Sequence, residues 1–252
     1  VAPTSSPVLI ECEQGSEQQL VARAIAVGSA REDKPFVKMT CAAFRGDALE
    51  RELFGWKKGS FDGAFDDRAG RLELAHKGTL FLDDPASLTP SLQARLLRLL
   101  RDGEIERIGA FEPISIDVRI IAALTPSIDE TWGKSGVLPE LCSRLGVYPI
   151  RLPPLRERRS DIRTLAEHFL RKYARRNARA ATSLAGDAIA KLESYFWPGN
   201  VRELENVIER ASILSRGDVI HADHLAFAAR LPPRTPSHPS AQPNTAPATA
   251  SH

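Results

Sequence analysis

Five short apolar runs recur through the first 152 residues, each long enough for a strand and too short for an ordinary helix. They are Val8-Leu9-Ile10 and residues 35–39, 79–83, 118–124 and 148–152. Between them lie segments such as residues 20–30, with apolar side chains at helical spacing. Runs that are apolar throughout need cover on both faces, so this alternation implies a mostly parallel sheet between helical layers. One helix has legible ends. Thr89 stands at its N-cap and Pro90 at its first position, Leu92, Leu96, Leu99 and Leu100 form its apolar face, and Gly103 stops it.

The pattern changes after Pro153-Pro154 to helices only, over residues 161–176, 183–196 and 201–215. The last opens with Asn200 and has Glu203 three residues on, a capping-box arrangement. From Leu231 onward the chain is Pro, Ser, Thr, Ala and Asn with almost no large apolar residue, too little to offset the entropy of ordering. The expected organisation is an α/β unit over residues 1–155, a helical unit over 156–230 and a disordered tail over 231–252.

With 42% hydrophobic and 26% charged residues among 252, the chain can bury one sizeable core or two smaller ones. A net charge of +2 is too small to argue for nucleic acid by itself. No run of about 18 apolar residues and no signal-peptide pattern occurs, so a cytoplasmic location without a membrane partner is expected. Cys12, Cys41 and Cys142 are scattered and read as reduced, buried thiols. His221 and His224 lack a third ligand, so no metal site is expected there. Arg171, Lys172, Arg175, Arg176 and Arg179 read as a solvated helix face before a DNA contact.

The turn between the first strand and the first helix reads Cys12-Glu13-Gln14-Gly15-Ser16-Glu17-Gln18-Gln19. A phosphate-binding loop of the G-x-x-x-x-G-K-[ST] type needs glycines so that backbone N–H groups can crowd the phosphates, a lysine on the β/γ-phosphates and a hydroxyl on Mg²⁺. Cys12 and Glu17 stand at the glycine positions, Gln18 at the lysine and Gln19 at the hydroxyl, while Gly15 remains. At about 4 Å and an effective dielectric near 20, the Glu17 carboxylate costs a bound phosphate on the order of 4 kcal/mol, and Gln18 forfeits an attraction of similar size. The expectation is a solvated helix start, with Glu17 favoured by the helix dipole.

Four longer segments identify the frame. The run Glu52-Leu53-Phe54-Gly55-Trp56-Lys57-Lys58-Gly59-Ser60-Phe61-Asp62-Gly63-Ala64 resembles the ELFGxxKGAFTGA segment of the sigma-54-dependent transcription activators, a bacterial branch of the AAA+ ATPases. Gly78-Thr79-Leu80-Phe81-Leu82-Asp83-Asp84 is similar to their GTLFLDE, Leu152-Pro153-Pro154-Leu155-Arg156-Glu157-Arg158 is identical to LPPLRER, and Trp197-Pro198-Gly199-Asn200-Val201-Arg202-Glu203-Leu204-Glu205-Asn206 completes the series. The resemblance covers roughly residues 5–225 and implies an AAA+ P-loop-type three-layer sandwich followed by a small all-helical lid.

The resemblance also assigns roles. Asp83 stands for the Mg²⁺-supporting aspartate, and Asp84 replaces the glutamate that polarises the attacking water with a carboxylate one methylene shorter. Thr40 and Thr125 replace the family's two asparagines, one restraining that glutamate and one sensing the nucleotide. Leu138 falls on the first arginine finger, Arg144 on the second, and Arg202 on the lid's sensor arginine. In the sigma-contact loop, Gly59-Ser60-Phe61-Asp62-Gly63-Ala64, the phenylalanine is kept but the contacting threonine is Asp62, a charge that must be desolvated. ATP and Mg²⁺ are the family ligands, and none is expected to bind.

The preferred expectation is a transcription-regulator module that has lost nucleotide turnover, acting through self-association as a ring or dimer or through a partner. Contact with the sigma factor or RNA polymerase is disfavoured, and DNA is expected only through a domain outside this chain, such as the helix-turn-helix that relatives place beyond such a linker; the sequence leaves open whether that domain or an upstream regulatory domain exists. One rival is a slow but real ATPase using Asp83, Asp84, Arg144 and Arg202 to remodel the sigma-54 polymerase. Another is a pocket reused for a different, signalling nucleotide.

Overall fold

The computed structural model describes residues 1–124, 138–175, 182–215 and 217–227. Thr125, Arg176, Arg179 and residues 231–252 lie outside them. Five strands form one parallel sheet: β1 Val8–Glu11, β2 Phe36–Thr40, β3 Thr79–Asp83, β4 Arg119–Leu124 and β5 Pro149–Arg151. Their spatial order is β2-β3-β4-β1-β5, with Leu82 of β3 beside Met39 and Ala122, and Leu9 of β1 beside Ala122 and Pro149.

Burial on both faces explains the unbroken apolar runs. Leu80 and Leu82 point into a large core with Leu9, Met39, Ile120 and Ala122. That core is closed by helices α2 Asp47–Phe54, α3 Arg71–Leu74, α4 Pro90–Asp102 and α5 Pro139–Leu145. Phe81 faces the other way, into a smaller core of Val8, Ile10, Ile121, Ala123 and Ala22 of α1 Gln18–Val27. Helix α4 has the ends its sequence gives it: the Thr89 hydroxyl accepts from the Leu92 N–H at 3.4 Å, and Gly103 turns left-handed at φ 70°.

Beyond β5, helices α6 Ser160–Ala174, α7 Gly186–Ser194 and α8 Asn200–Leu214 enclose a separate core around the fully buried Trp197, whose indole N–H donates to Leu192 O at 2.8 Å. Here two expectations need correction. Residues 183–184 do not begin a helix; they pair in parallel with Val219–Ile220. The Thr182 and Ser183 N–H groups and the Ser183 hydroxyl all donate to Asp218 O, which holds the segment extended until Gly186. Nor is Asn200 the cap of α8. Gly199 holds that place, its N–H donating to Glu203 Oε2 at 2.8 Å, while the Asn200 side chain turns towards the α/β half.

Leu82→Ala is expected to cost about 3–5 kcal/mol, because both its transfer energy and the cavity it leaves fall in a closed core. Val27→Ala, on the exposed face of α1, should stay within about 0.5 kcal/mol. Urea unfolding of the two variants, showing equal losses, would contradict this placement of the core.

Candidate functional site

A cleft of about 390 Å³ opens at the carboxyl ends of the strands. Gln14, Gly15, Glu17, Gln18 and Gln19 form one wall, Lys38, Thr40 and Ala42 another, and Asp83 and Asp84 the floor, with Arg202 reaching in from α8. The β1–α1 turn keeps a glycine-like backbone although Glu17 stands at one of the glycine positions. Gly15 has φ 82° and Glu17, at the N-cap of α1, has φ 63°, a left-handed conformation that costs a side-chain-bearing residue about 1 kcal/mol.

Gln18 is not simply solvated. Its Nε2 donates to Asp83 Oδ1 at 3.2 Å, so the amide at the lysine position is spent on the strand-end carboxylate. Lys38 Nζ donates to Gln19 Oε1 at 2.6 Å. The cleft thus carries three carboxylates, on Glu17, Asp83 and Asp84, against two cations, on Lys38 and Arg202. Asp84 lies at φ 58° and its Oδ2 accepts from the Ser87 hydroxyl at 2.6 Å. Burial, with Asp84 and Asp83 nearby, pushes the Cys41 thiol up to about 12, so it stays protonated and inert. Cys12 and Cys142 are likewise buried, as expected.

The turn is held by the lid. Asn200, fully buried and at φ 50°, accepts from the Leu155 N–H at 2.8 Å and donates to Glu13 Oε2 at 3.2 Å and Gln14 O at 3.1 Å. Arg156 forks onto both Glu13 oxygens, with Nη1 2.7 Å from Oε2. The Arg202 N–H donates to Gly15 O at 3.2 Å. A Cβ on Gly15 would sit 2.3 Å from Gly199 O, so the retained glycine is required by the lid's approach. Hydrogen bonding to Arg156 holds the Glu13 carboxyl below its ordinary value, with burial opposing and Asn200 assisting.

The other assigned positions are dispersed. Leu138 packs against the large core, while its N–H donates to Gln93 Oε1 at 2.7 Å. Arg144 is exposed in the last turn of α5. Thr40 ends β2 beside Asp83 in register. His221 and His224 cap one another, His221 N–H donating to His224 Nδ1 at 3.0 Å, and no metal-ligating group of three occurs among the described residues.

The loop of Gly59, Ser60, Phe61, Asp62, Gly63 and Ala64 closes on itself, with the Gly59 N–H donating to Ala64 O at 2.8 Å. It is tied to a second turn: the Lys57 N–H donates to Ile108 O at 2.9 Å, and the Ile108 N–H to Gly55 O at 3.0 Å. Asp67 accepts from Lys57 Nζ at 2.6 Å and the Lys58 N–H at 2.8 Å, and hydrogen bonding to Lys57 leads the effects that keep its carboxyl below the usual range. Arg107 grips Glu73 through two bonds. Asp62 is exposed, as the sequence requires of an unpaired charge.

Sequence reasoning missed Lys38 and the lid contacts of Glu13, Arg156 and Asn200. Lys38 carried only one faint sign, a charge within an apolar strand run. The partners of Glu13 lie 143 and 187 residues away along the chain.

Residues 1–151 match the sigma-54 interaction domain family and residues 156–242 the AAA+ ATPase lid domain family. The chain is 50% identical over 220 residues to a Nif-specific regulatory protein of Bradyrhizobium diazoefficiens, covering 87% of this chain and 38% of that protein. It is 44% identical over 233 residues to the transcriptional regulatory protein ZraR of Salmonella typhimurium, covering 92% and 53%. Among solved structures, NtrX of Brucella abortus in complex with ATP superposes with a TM-score of 0.82 at 36% identity, covering 90% of this chain and 50% of that one. Hsp104, at a TM-score of 0.60 and 16% identity, shares the fold. The chain therefore spans about half or less of the length of each regulator compared.

Three outcomes follow from the turn. Asn200→Ala should lose about 3 kcal/mol in urea unfolding, from an unsatisfied buried N–H and a non-glycine residue left at positive φ. Glu17→Gly should gain about 1 kcal/mol by relieving the left-handed backbone. Because the folded Glu13 carboxyl titrates below its unfolded value of 4.5, its contribution is complete above that value and is lost as pH falls through the folded pKa. The stability gap between the wild type and Glu13→Gln should therefore narrow in acid, and a gap that widened below pH 4.5 would exclude the Arg156 contact as its cause.

Proposed function

The chain belongs to the sigma-54 interaction domain family, an AAA+ fold with its helical lid, and on that premise we propose that it is a bacterial transcription-regulator module that has lost nucleotide turnover. It works in the cytoplasm through self-association or through a bound partner. The observation that carries the reading is the Gln18–Asp83 hydrogen bond. Where phosphate binding needs a free cation, the chain has a neutral amide already spent on the carboxylate that would support a metal ion.

The donor set does not fit a magnesium-bound triphosphate. No lysine or hydroxyl stands at positions 18 and 19, Glu17 adds negative charge, and Asp84 is engaged by Ser87. Each carboxylate within about 4 Å of a phosphate costs on the order of 4 kcal/mol at an effective dielectric of 20, enough to cancel much of a micromolar affinity. NtrX has been solved in complex with ATP, so a relative with this fold binds the nucleotide. In this chain the lid contacts of Glu13 and Asn200 supply shape to the turn without a ligand. The module is then a fixed platform, and the ancestral catalytic positions Asp83, Asp84, Arg144 and Arg202 do structural or surface duty.

Contact with the sigma factor is the role for which the family is named, and Asp62 opposes it because its carboxylate would have to be desolvated in the interface. The rival ATPase reading keeps one specific support, since Asp83, Asp84 and Arg202 all line the cleft. Phosphate release that disappears in Asp83→Ala would establish that rival.

Calorimetry should find no micromolar binding of ATP·Mg²⁺ to the chain as it stands. The triple variant Cys12→Gly/Glu17→Gly/Gln18→Lys should recover binding before hydrolysis, because Leu138 and Asp84 still lack the finger and the longer base. Tight binding by the unaltered chain would overturn the reading.

A further inference from the structure

Arg119, the first residue of β4, is 1% exposed, and no carboxylate pairs with its guanidinium among the described residues. A cation withdrawn from water ordinarily has an anionic partner, whereas this one has peptide oxygens. Its Nη2 donates to Val1 O and its Nη1 to Ala2 O, both at 2.9 Å, and its Nε donates to Ser6 O at 3.3 Å. All three acceptors belong to one short segment. Thr4 folds that segment back, its N–H and its hydroxyl donating to Val1 O at 3.2 and 2.9 Å. Ala2 then lies against the end of α1, where a Cβ on Gly28 would come within 3.3 Å of the Ala2 Cβ.

Apolar burial does little to hold these residues in place. Val1, the one large apolar side chain among residues 1–6, is 46% exposed, and Pro3 and Ser5 face solvent. Nor does the nearest charge relieve Arg119. Arg31 is close enough to join burial in lowering the Arg119 pKa, and is itself bonded to Gly78 O at 3.0 Å and Asp117 Oδ1 at 2.6 Å. Segment and guanidinium therefore depend on each other: the carbonyls replace the water that burial removed, and the planar fork, with its several donors, gathers carbonyls that converge from one turn.

We propose that residues 1–6 form a releasable strap with Arg119 as its anchor, a two-state device that sets how a segment ahead of Val1 meets the sheet. In the docked state the strap covers the first residue of β4 and leaves the α/β unit in a fixed direction. In the released state Arg119 opens to water and the strap moves freely. The strap lies at the opposite ends of the strands from the cleft, so the device is independent of what the cleft holds.

The test places a small fluorescent dye on the Val1 α-amine of the full chain, which reacts ahead of the lysines near pH 7 because its ordinary pKa is about 8. In the intact chain the dye should tumble with the protein. In Arg119→Met, which keeps an apolar stem and removes the donors, its anisotropy should fall roughly twofold as the strap gains nanosecond motion. Arg119→Lys should lose part of that amount, because an ammonium lacks the fork, and Arg31→Gln should lose none. Gly28→Val crowds Ala2 from the strap side and should also free the dye, which keeps the test decisive where Arg119→Met does not fold. In urea, Gly28→Val should shift the unfolding midpoint less in the Arg119→Met background than in the wild type, since there the strap is already released. A dye that is mobile in the intact chain, a dye that stays immobile in Arg119→Met or Gly28→Val, equal release by Arg31→Gln, or equal midpoint shifts in the two backgrounds would overturn the strap.

Discussion

Asn200 is the residue on which the two halves of the molecule meet. Its amide is buried, its backbone is left-handed, and its hydrogen bonds go to Leu155, Glu13 and Gln14, which lie at the start of the lid and in the β1–α1 turn. A buried amide that satisfies both its ends fixes geometry more strictly than apolar packing can, because any shift leaves a polar group unpaired. The Arg156–Glu13 fork and the contact of Gly15 with Gly199 are consequences of the same approach. Without it the left-handed backbone at Glu17 would lose the neighbouring contacts that hold the turn.

That dependence accounts for the state of the turn. Glu17 occupies a conformation suited to glycine, and the strain of about 1 kcal/mol is small beside the contacts that impose it. Gln18, at the head of α1, is close enough to Asp83 to bond it, and Lys38 meets Gln19 in the same cleft. Polar groups that could have faced a ligand are joined to one another. The cleft carries one more carboxylate than cation.

A second unit, of two loops, is stabilised by different means. Backbone bonds join residues 55, 57 and 108, Asp67 gathers Lys57 and the Lys58 N–H, and Arg51 covers Phe61. Each contact is modest because it is partly exposed. Together they hold the loop's own aromatic inward and leave Phe65 and Phe111 outward.

The sequence by itself determined the layered α/β architecture, the ends of α4, the buried thiols and the family, because these depend on local spacing, on turn chemistry, or on residues in an unbroken run. Val8-Leu9-Ile10 and residues 79–83 had to be buried on both faces whatever their neighbours. It also showed which residues replaced the glycines and the lysine of the β1–α1 turn. Only the tertiary structure decided what those replacements do. Gln18 bonds a residue 65 positions away, Asn200 leaves the capping of its own helix for Glu13 at a separation of 187, and residues 183–184 are drawn into a ladder by Asp218. Hydrogen-bond partners of this kind are chosen by the approach of distant segments, which no local pattern encodes, and the glutamine that reads as a missing lysine becomes a bond only once β3 lies beneath it.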